Sequence, residues 1–233
     1  MWSGPRNIST AMMRSFENRK DTDVIDEPFY AYYLKKTKLK HPMYKEIIAR
    51  YETDYNLIID RITSEINTIV FIKHMTQHIN LNSDLSWINK GKNIFLLRDP
   101  TKVINSYIKN NDILNSSDIG FPEQLKIFKY IKKNTNSNFI VINADSLLKN
   151  PKIILSSVCK KFEIKFDERM LSWQSGERSS DGIWSKIWYK NVIKSEKFQF
   201  LQEKKIEIPS KYNKIYEECL GIYKELNQYS IKT

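Results

Sequence analysis

The stretch Ser3-Gly4-Pro5-Arg6-Asn7-Ile8-Ser9-Thr10 decides how this chain is read. Gly4 and Pro5 interrupt regular structure, and Ser9 and Thr10 are residue types that cap helices. Ala11, Met12, Met13 and Phe16 then supply helix formers and an apolar stripe at helical spacing. A loop that ends on a helix N-terminus turns several free N–H groups and a positive dipole end toward one point, which suits an anion. Arg6 adds a planar fork of donors for phosphate oxygens, and the hydroxyls of Ser9 and Thr10 add two more. The same residues also fit an ordinary capped turn with a surface arginine. They do not make the usual nucleoside-triphosphatase loop, G-x-x-x-x-G-K-[ST]. That loop needs a lysine after its glycines, and here Ile8 stands where a glycine is expected. An ATPase or kinase reading is weakened but stays open.

Loops of this kind follow a buried strand, which normally takes about 5–6 residues. Only Met1 and Trp2 precede the loop, so the first strand is expected to be truncated. Met1 is then expected to be an internal methionine, with the natural chain starting upstream. Downstream, Val24 and Ile25 predict a short buried strand that Pro28 stops, placing Asp26 and Glu27 at its carboxyl end. The apolar spacing from Pro42 to Ile66 predicts one helix ended by Asn67. Thr68 to Lys73 is the next strand, with Lys73-His74-Met75-Thr76 at its end. Lys92 to Leu97 is a third apolar run, ending in Arg98-Asp99-Pro100, and Thr101 opens a helix. Pro122 starts another helix, Phe139 to Ile142 is a strand, and Pro151 opens the helix carrying Ile154 and Val158.

Short continuous apolar strands alternating with helices predict an α/β fold: a parallel sheet with helices on both faces. Ligands of such sheets bind beyond the carboxyl ends of the strands. Arg6, Ser9 and Thr10, then Asp26 and Glu27, then Lys73 and His74, then Arg98 all fall there. The segment 175–233 differs in character: a Ser- and Gly-rich loop to Asp181, then Trp184, Trp188 and Tyr189 at helical steps, which fit either core or a ligand wall. A last amphipathic helix follows Pro209. Residues 1–233 are expected to form one domain, with 175–233 as a C-terminal loop and helical extension.

Composition sets limits. Of 233 residues 41% are hydrophobic and 28% charged, ordinary for a globular chain that needs no disulfides. Cys159 and Cys219 fall in predicted helices, and no metal-ligand spacing links them. Low cysteine use and the absence of a signal-peptide pattern fit a reducing cytoplasm. No apolar run approaches the length of a membrane span. The net charge of +11 comes from lysines spread over the whole chain, without a nucleic-acid reader motif, so no specific nucleic-acid partner is expected.

Arg98 leaves a strand end, and Ser106 lies two helical turns further on. Together they can hold a second phosphate; alternatively Arg98 pairs with Asp99 and Ser106 faces solvent. The two motifs together resemble the sulfotransferases that use 3′-phosphoadenosine-5′-phosphosulfate (PAPS). Pro5-Arg6-Asn7-Ile8-Ser9-Thr10 is similar to the family's Pro-[Lys/Arg]-x-Gly-[Ser/Thr]-[Ser/Thr] loop, with Ile8 replacing glycine. Arg98-Asp99-Pro100-Thr101-Lys102-Val103-Ile104-Asn105-Ser106 matches Arg-[Asn/Asp]-Pro-x-x-Val-x-x-Ser at every defined position. Asp26-Glu27-Pro28-Phe29-Tyr30, Lys73-His74-Met75-Thr76 and Asp181-Gly182-Ile183-Trp184 resemble the bacterial and plant branch of sulfotransferase-like P-loop proteins. The likeness extends to about Phe198.

The resemblance implies a P-loop nucleoside triphosphate hydrolase-like fold with a five-stranded parallel sheet. It implies PAPS as donor, no metal, and a small-molecule hydroxyl or amine as acceptor. Arg6, Asn7, Ser9 and Thr10 would grip the 5′-phosphosulfate, Arg6 also stabilising the leaving group, while Arg98 and Ser106 would grip the 3′-phosphate. The base would be Glu27 or His74. Lys73 would either assist at the phosphates or be a surface lysine. His78 reads as a satisfied structural histidine, and His41 is given no role. Ala11 departs from the family, many cytosolic members placing a tryptophan there against adenine. A magnesium-dependent phosphohydrolase or kinase and a non-catalytic nucleotide-binding module remain the alternatives, the latter because of Ile8.

Overall fold

The computed structural model describes residues 1–64, 68–134, 139–200 and 207–232. β1 (Trp2–Ser3) leads into α1 (Ser9–Glu17), β2 (Thr22–Asp26), α2 (Tyr30–Thr37), α3 (Tyr44–Arg50), α4 (Tyr55–Thr63) and β3 (Ile69–Met75). Next come β4 (Asn93–Leu97), α5 (Pro100–Tyr107), α6 (Phe121–Asn134) and β5 (Phe139–Asn143). The chain continues through α7 (Ala144–Lys149), α8 (Pro151–Lys161), α9 (Ser185–Trp188), α10 (Lys190–Ile193) and α11 (Asn213–Asn227).

The strands form one five-stranded sheet in the order β2-β3-β1-β4-β5, and every pairing is parallel. The two-residue β1 is central: Trp2 is level with His74 of β3 on one side and with Phe95 of β4 on the other. The strand pleat sends alternate side chains to opposite faces. Ile94, Leu96 and Ile142 pack with Met12 and Phe16 of α1 and Leu155 of α8. Phe95, Leu97 and Val141 pack with Ile58 of α4, Phe128 of α6 and Leu226 of α11. Each such fully buried side chain contributes about 1.5–3 kcal/mol, and burial on both faces is why these strands read as unbroken apolar runs. The α/β fold with helices on both faces is the one the sequence predicts.

The differences are local. The Pro42–Ile66 pattern forms two helices, because Tyr51 and Asp54 are extended and Asp54 caps α4. Its carboxylate accepts from the N–H groups of Asn56 (2.8 Å) and Leu57 (3.1 Å). Ile66 and Asn67 lie outside the described residues. Strand β2 runs from Thr22 to Asp26, longer than Val24–Ile25. Strand β3 continues to Met75, so His74 and Met75 lie inside it rather than after it. Helix α7, absent from the sequence reading, is capped by Asn143, whose side chain accepts from the N–H groups of Asp145 and Ser146. Helix α11 packs on α5 and α6. Cys159 and Cys219 are buried free thiols in α8 and α11. Among the described residues no helix is long and apolar enough to cross a membrane.

Candidate functional site

The loop after β1 is fixed by close backbone approach. A Cβ at Gly4 would lie 2.2 Å from the carbonyl oxygen of Ile119, so only glycine fits there. Buried Asn7 donates to the carbonyls of Gly4 (2.9 Å) and Pro5 (3.1 Å). Asn7 therefore braces the loop from within, and the structure does not bring it to the cavity described below. Arg6 (φ 64°) and Ile8 (φ 57°) both take left-handed backbone, which costs a residue bearing a Cβ on the order of 1–2 kcal/mol. Ile8 thus holds a conformation that glycine adopts without strain, and its side chain packs on the α1 face of the core. Ile8 is the N-cap of α1, without a side-chain cap. Ser9 and Thr10, expected as caps, are instead the first helical residues, where backbone N–H groups have no intrahelical acceptor. Both border the cavity.

The second basic motif meets the first directly. Arg6 Nε donates to the hydroxyl of Ser106 at 2.8 Å, and an Arg98 guanidinium nitrogen donates to the backbone oxygen of Arg6 at 2.7 Å. β1 and β4 are adjacent in the sheet, so the residues that follow them are brought together. Asp99 caps α5, accepting from the N–H of Thr101 at 2.8 Å. Burial, and next the charge of Arg98, lower the pKa of Arg6. Two guanidinium groups that border one space repel each other, an arrangement that suits a polyanion.

Glu27 lies just past β2 with a left-handed φ of 45°, its N–H donating to the carbonyl of Lys73 at 2.9 Å. Asp26 is in register with Lys73 across the β2–β3 pair. Lys73 is no surface residue: it is buried, with Nζ 2.9 Å from Asp26 Oδ1 and 2.6 Å from Glu27 Oε1. Glu27 therefore pairs with Lys73 rather than with either arginine. Burial, joined by the charge of Asp26 and opposed by Lys73, raises the Glu27 pKa.

His74 does not join this group. It follows Lys73 in the strand and so points to the other face, stacked on Trp2 with centroids 4.4 Å apart and close to Phe29 and Trp87. Burial holds its pKa well below the ordinary histidine value. His78 takes the place that His74 was expected to fill. It lies in the turn after β3, stacked on Tyr30 (4.8 Å) and Tyr33 (4.6 Å), with Nδ1 4.0 Å from Glu27 Oε2. His41 also borders the space and shares a 2.9 Å hydrogen bond with the Tyr30 hydroxyl.

These groups surround a cavity of about 460 Å³ along the carboxyl ends of the strands. Arg6, Ser9, Thr10, Arg98, Ser106 and Glu27 all border it. So do Trp188 and Tyr189, whereas Trp184 is core. Of the residues read from sequence, Asn7, Asp26 and His74 do not reach it. The sequence reading gives His78 a structural part and His41 none, and Tyr30 enters it only within the Asp26–Tyr30 motif; packing brings all three to the cavity.

A parallel sheet whose central strand runs into a loop that opens the first helix makes this a P-loop-like α/β protein. Residues 1–224 match the family model of the sulfotransferase domain, and the chain belongs to that family. Its fold resembles the sulfotransferase domain of the Synechococcus PCC 7002 olefin synthase, with a TM-score of 0.63 at 14% identity, covering 99% of this chain and 94% of that one. The sulfotransferase domain of the curacin biosynthetic pathway is also similar, with a TM-score of 0.56 at 16% identity, covering 99% and 97%. Two Arabidopsis thaliana proteins are similar in sequence. Branched-chain-amino-acid aminotransferase-like protein 2 is 30% identical over 95% of this chain and 40% of its own length. Protein 1 of that name is 29% identical over 98% and 41%. The chain thus spans about two-fifths of the length of these curated relatives.

Proposed function

We propose that this sulfotransferase-family protein moves a sulfuryl group from PAPS to a hydroxyl or amine of a small-molecule acceptor. The observation that carries the reading is that Arg6 and Arg98, from two different strand ends, border one cavity that also contains Glu27. Arg6, Ser9, Thr10 and the first N–H groups of α1 form the pole for the 5′-phosphosulfate. Arg98 and Ser106 form the pole for the 3′-phosphate. Asn7 acts by keeping the loop in shape.

Glu27 is the base in preference to His74. It removes the proton from the acceptor as the acceptor oxygen or nitrogen bonds to sulfur. The bond from sulfur to the bridging oxygen breaks, and the electron pair leaves with adenosine 3′,5′-bisphosphate. Arg6 and the loop N–H groups neutralise the charge that develops on that oxygen. A carboxylate with a raised pKa is the better base near neutral pH. Two buried thiols and low cysteine use support a reducing, cytoplasmic setting.

Titration calorimetry tests the reading with adenosine 3′,5′-bisphosphate and with ATP plus magnesium. Binding of the bisphosphate without metal supports it. Binding of ATP only with magnesium favours a phosphohydrolase or kinase, and binding of neither removes a nucleotide role.

A further inference from the structure

Glu27 is one member of a buried group of four. The Lys73 ammonium has three N–H donors and three acceptors around it: Asp26 Oδ1 at 2.9 Å, Glu27 Oε1 at 2.6 Å and the Tyr189 hydroxyl. The Tyr189 hydroxyl in turn lies 2.8 Å from both oxygens of Asp26, and the N–H of Gly182 donates to Asp26 Oδ2 at 3.1 Å. Asp26 is therefore enclosed by donors and does not border the cavity. Glu27 does border it: Oε1 takes Lys73, and Oε2 lies on the His78 side.

We propose that Asp26 and Tyr189 are positioning residues of the active site, which engage Lys73 as their own partner and so leave Glu27 as the reactive carboxylate. The inference rests on the reading of Glu27 as the base. A glutamate sharing a buried site with a lysine of its own would be held as a quiet ion pair and would take up a proton poorly. A second carboxylate bound to the same ammonium leaves one negative charge in excess. Asp26 is closed off by its donors, so that charge is available at the one carboxylate open to the cavity. Tyr189 closes the arrangement from 116 residues beyond Lys73.

The groups facing Glu27 are Asp26 from its own strand, Lys73 from β3, His78 from the turn after β3, Tyr30 from α2, and Tyr189 between α9 and α10. Burial keeps His78, Tyr30 and Tyr189 uncharged near neutral pH. Asp26 and Lys73 are then the charges that set the proton affinity of Glu27, with opposite signs.

Carboxyl ¹³C NMR of protein labelled at the glutamate side-chain carboxyl tests this, the Glu27 signal being the one lost in Glu27→Gln. In the unaltered protein Glu27 should titrate above the ordinary glutamate value of about 4.3. Asp26→Asn should lower its midpoint by about one pH unit, and Lys73→Met should raise it. Loosening that merely admits water would move both variants the same way. If Asp26→Asn does not fold, the double variant Asp26→Asn/Lys73→Met leaves no lone buried partner, and its midpoint should lie below that of Lys73→Met alone. A midpoint at or below 4.3 in the unaltered protein, no shift on removing the Asp26 charge, or shifts of one sign in both variants would overturn the proposal. The titration uses neither nucleotide nor acceptor, so its failure leaves the PAPS reading intact. Absence of bisphosphate binding would remove that reading without touching the titration.

Discussion

Arg6 and Ser106 stand 100 residues apart in the chain and are joined by a 2.8 Å hydrogen bond from Nε to the hydroxyl. The bond ties the loop after β1 to the helix after β4. It fixes the distance between the two basic poles, and with Arg98 bonded to the backbone of Arg6 the poles act as one frame. The sequence reading treats them as separate clamps, and their adjacency comes from the neighbouring positions of β1 and β4 in the sheet.

Arg98→Ala removes the guanidinium assigned to the 3′-phosphate. It should weaken adenosine 3′,5′-bisphosphate by about tenfold or more, equivalent to ~1.4 kcal/mol, while changing affinity for the 5′-monophosphate far less. Calorimetry with the two nucleotides measures the difference, and equal losses would contradict the assignment.

Glu27→Gln keeps shape and removes the base. Transfer of labelled sulfur from PAPS into a mixture of small hydroxyl and amine compounds should fall by about 10²–10⁴-fold, with bisphosphate affinity retained. Turnover at the unaltered rate would take the base role away from Glu27.

Gly4→Ala places a methyl group 2.2 Å from a backbone oxygen that has no flexible end to yield. A cost of about 1–3 kcal/mol is expected, as for other overpacked sites. It should appear as a lower Tm together with weaker bisphosphate binding, because the displaced loop is the same one that carries Arg6.

His74 has a pKa well below the ordinary value because it is buried, so the unfolded chain binds its proton more readily than the folded one. Stability should therefore fall as pH drops below about 6.5, the ordinary histidine value. His74→Phe keeps the aromatic contact with Trp2 and should flatten that fall without altering bisphosphate binding. Tm measured between pH 7.5 and 5 checks the slope; His78 and His41, also lowered by burial, contribute to the part that remains.

The sequence by itself determines the α/β character, the approximate positions of β2 to β5, and the two basic motifs. Each of these is written in contiguous residues: apolar runs that need burial on both faces, glycine and proline that stop them, and donors at the junctions that follow. The tertiary structure decides which candidates meet. Lys73 and His74 are equally polar neighbours, but the pleat turns one toward Glu27 and the other onto Trp2. His78 reaches the site through a turn and Tyr189 through a segment 116 residues beyond Lys73; the helical spacing of Trp184, Trp188 and Tyr189 fits core and ligand wall alike. The break between α3 and α4 depends on a cap at Asp54 that the isoleucine spacing hides. Periodicity reports whether a side chain wants to be buried. Its direction and its partner are settled only when distant segments pack and every buried charge has to find a counterpart.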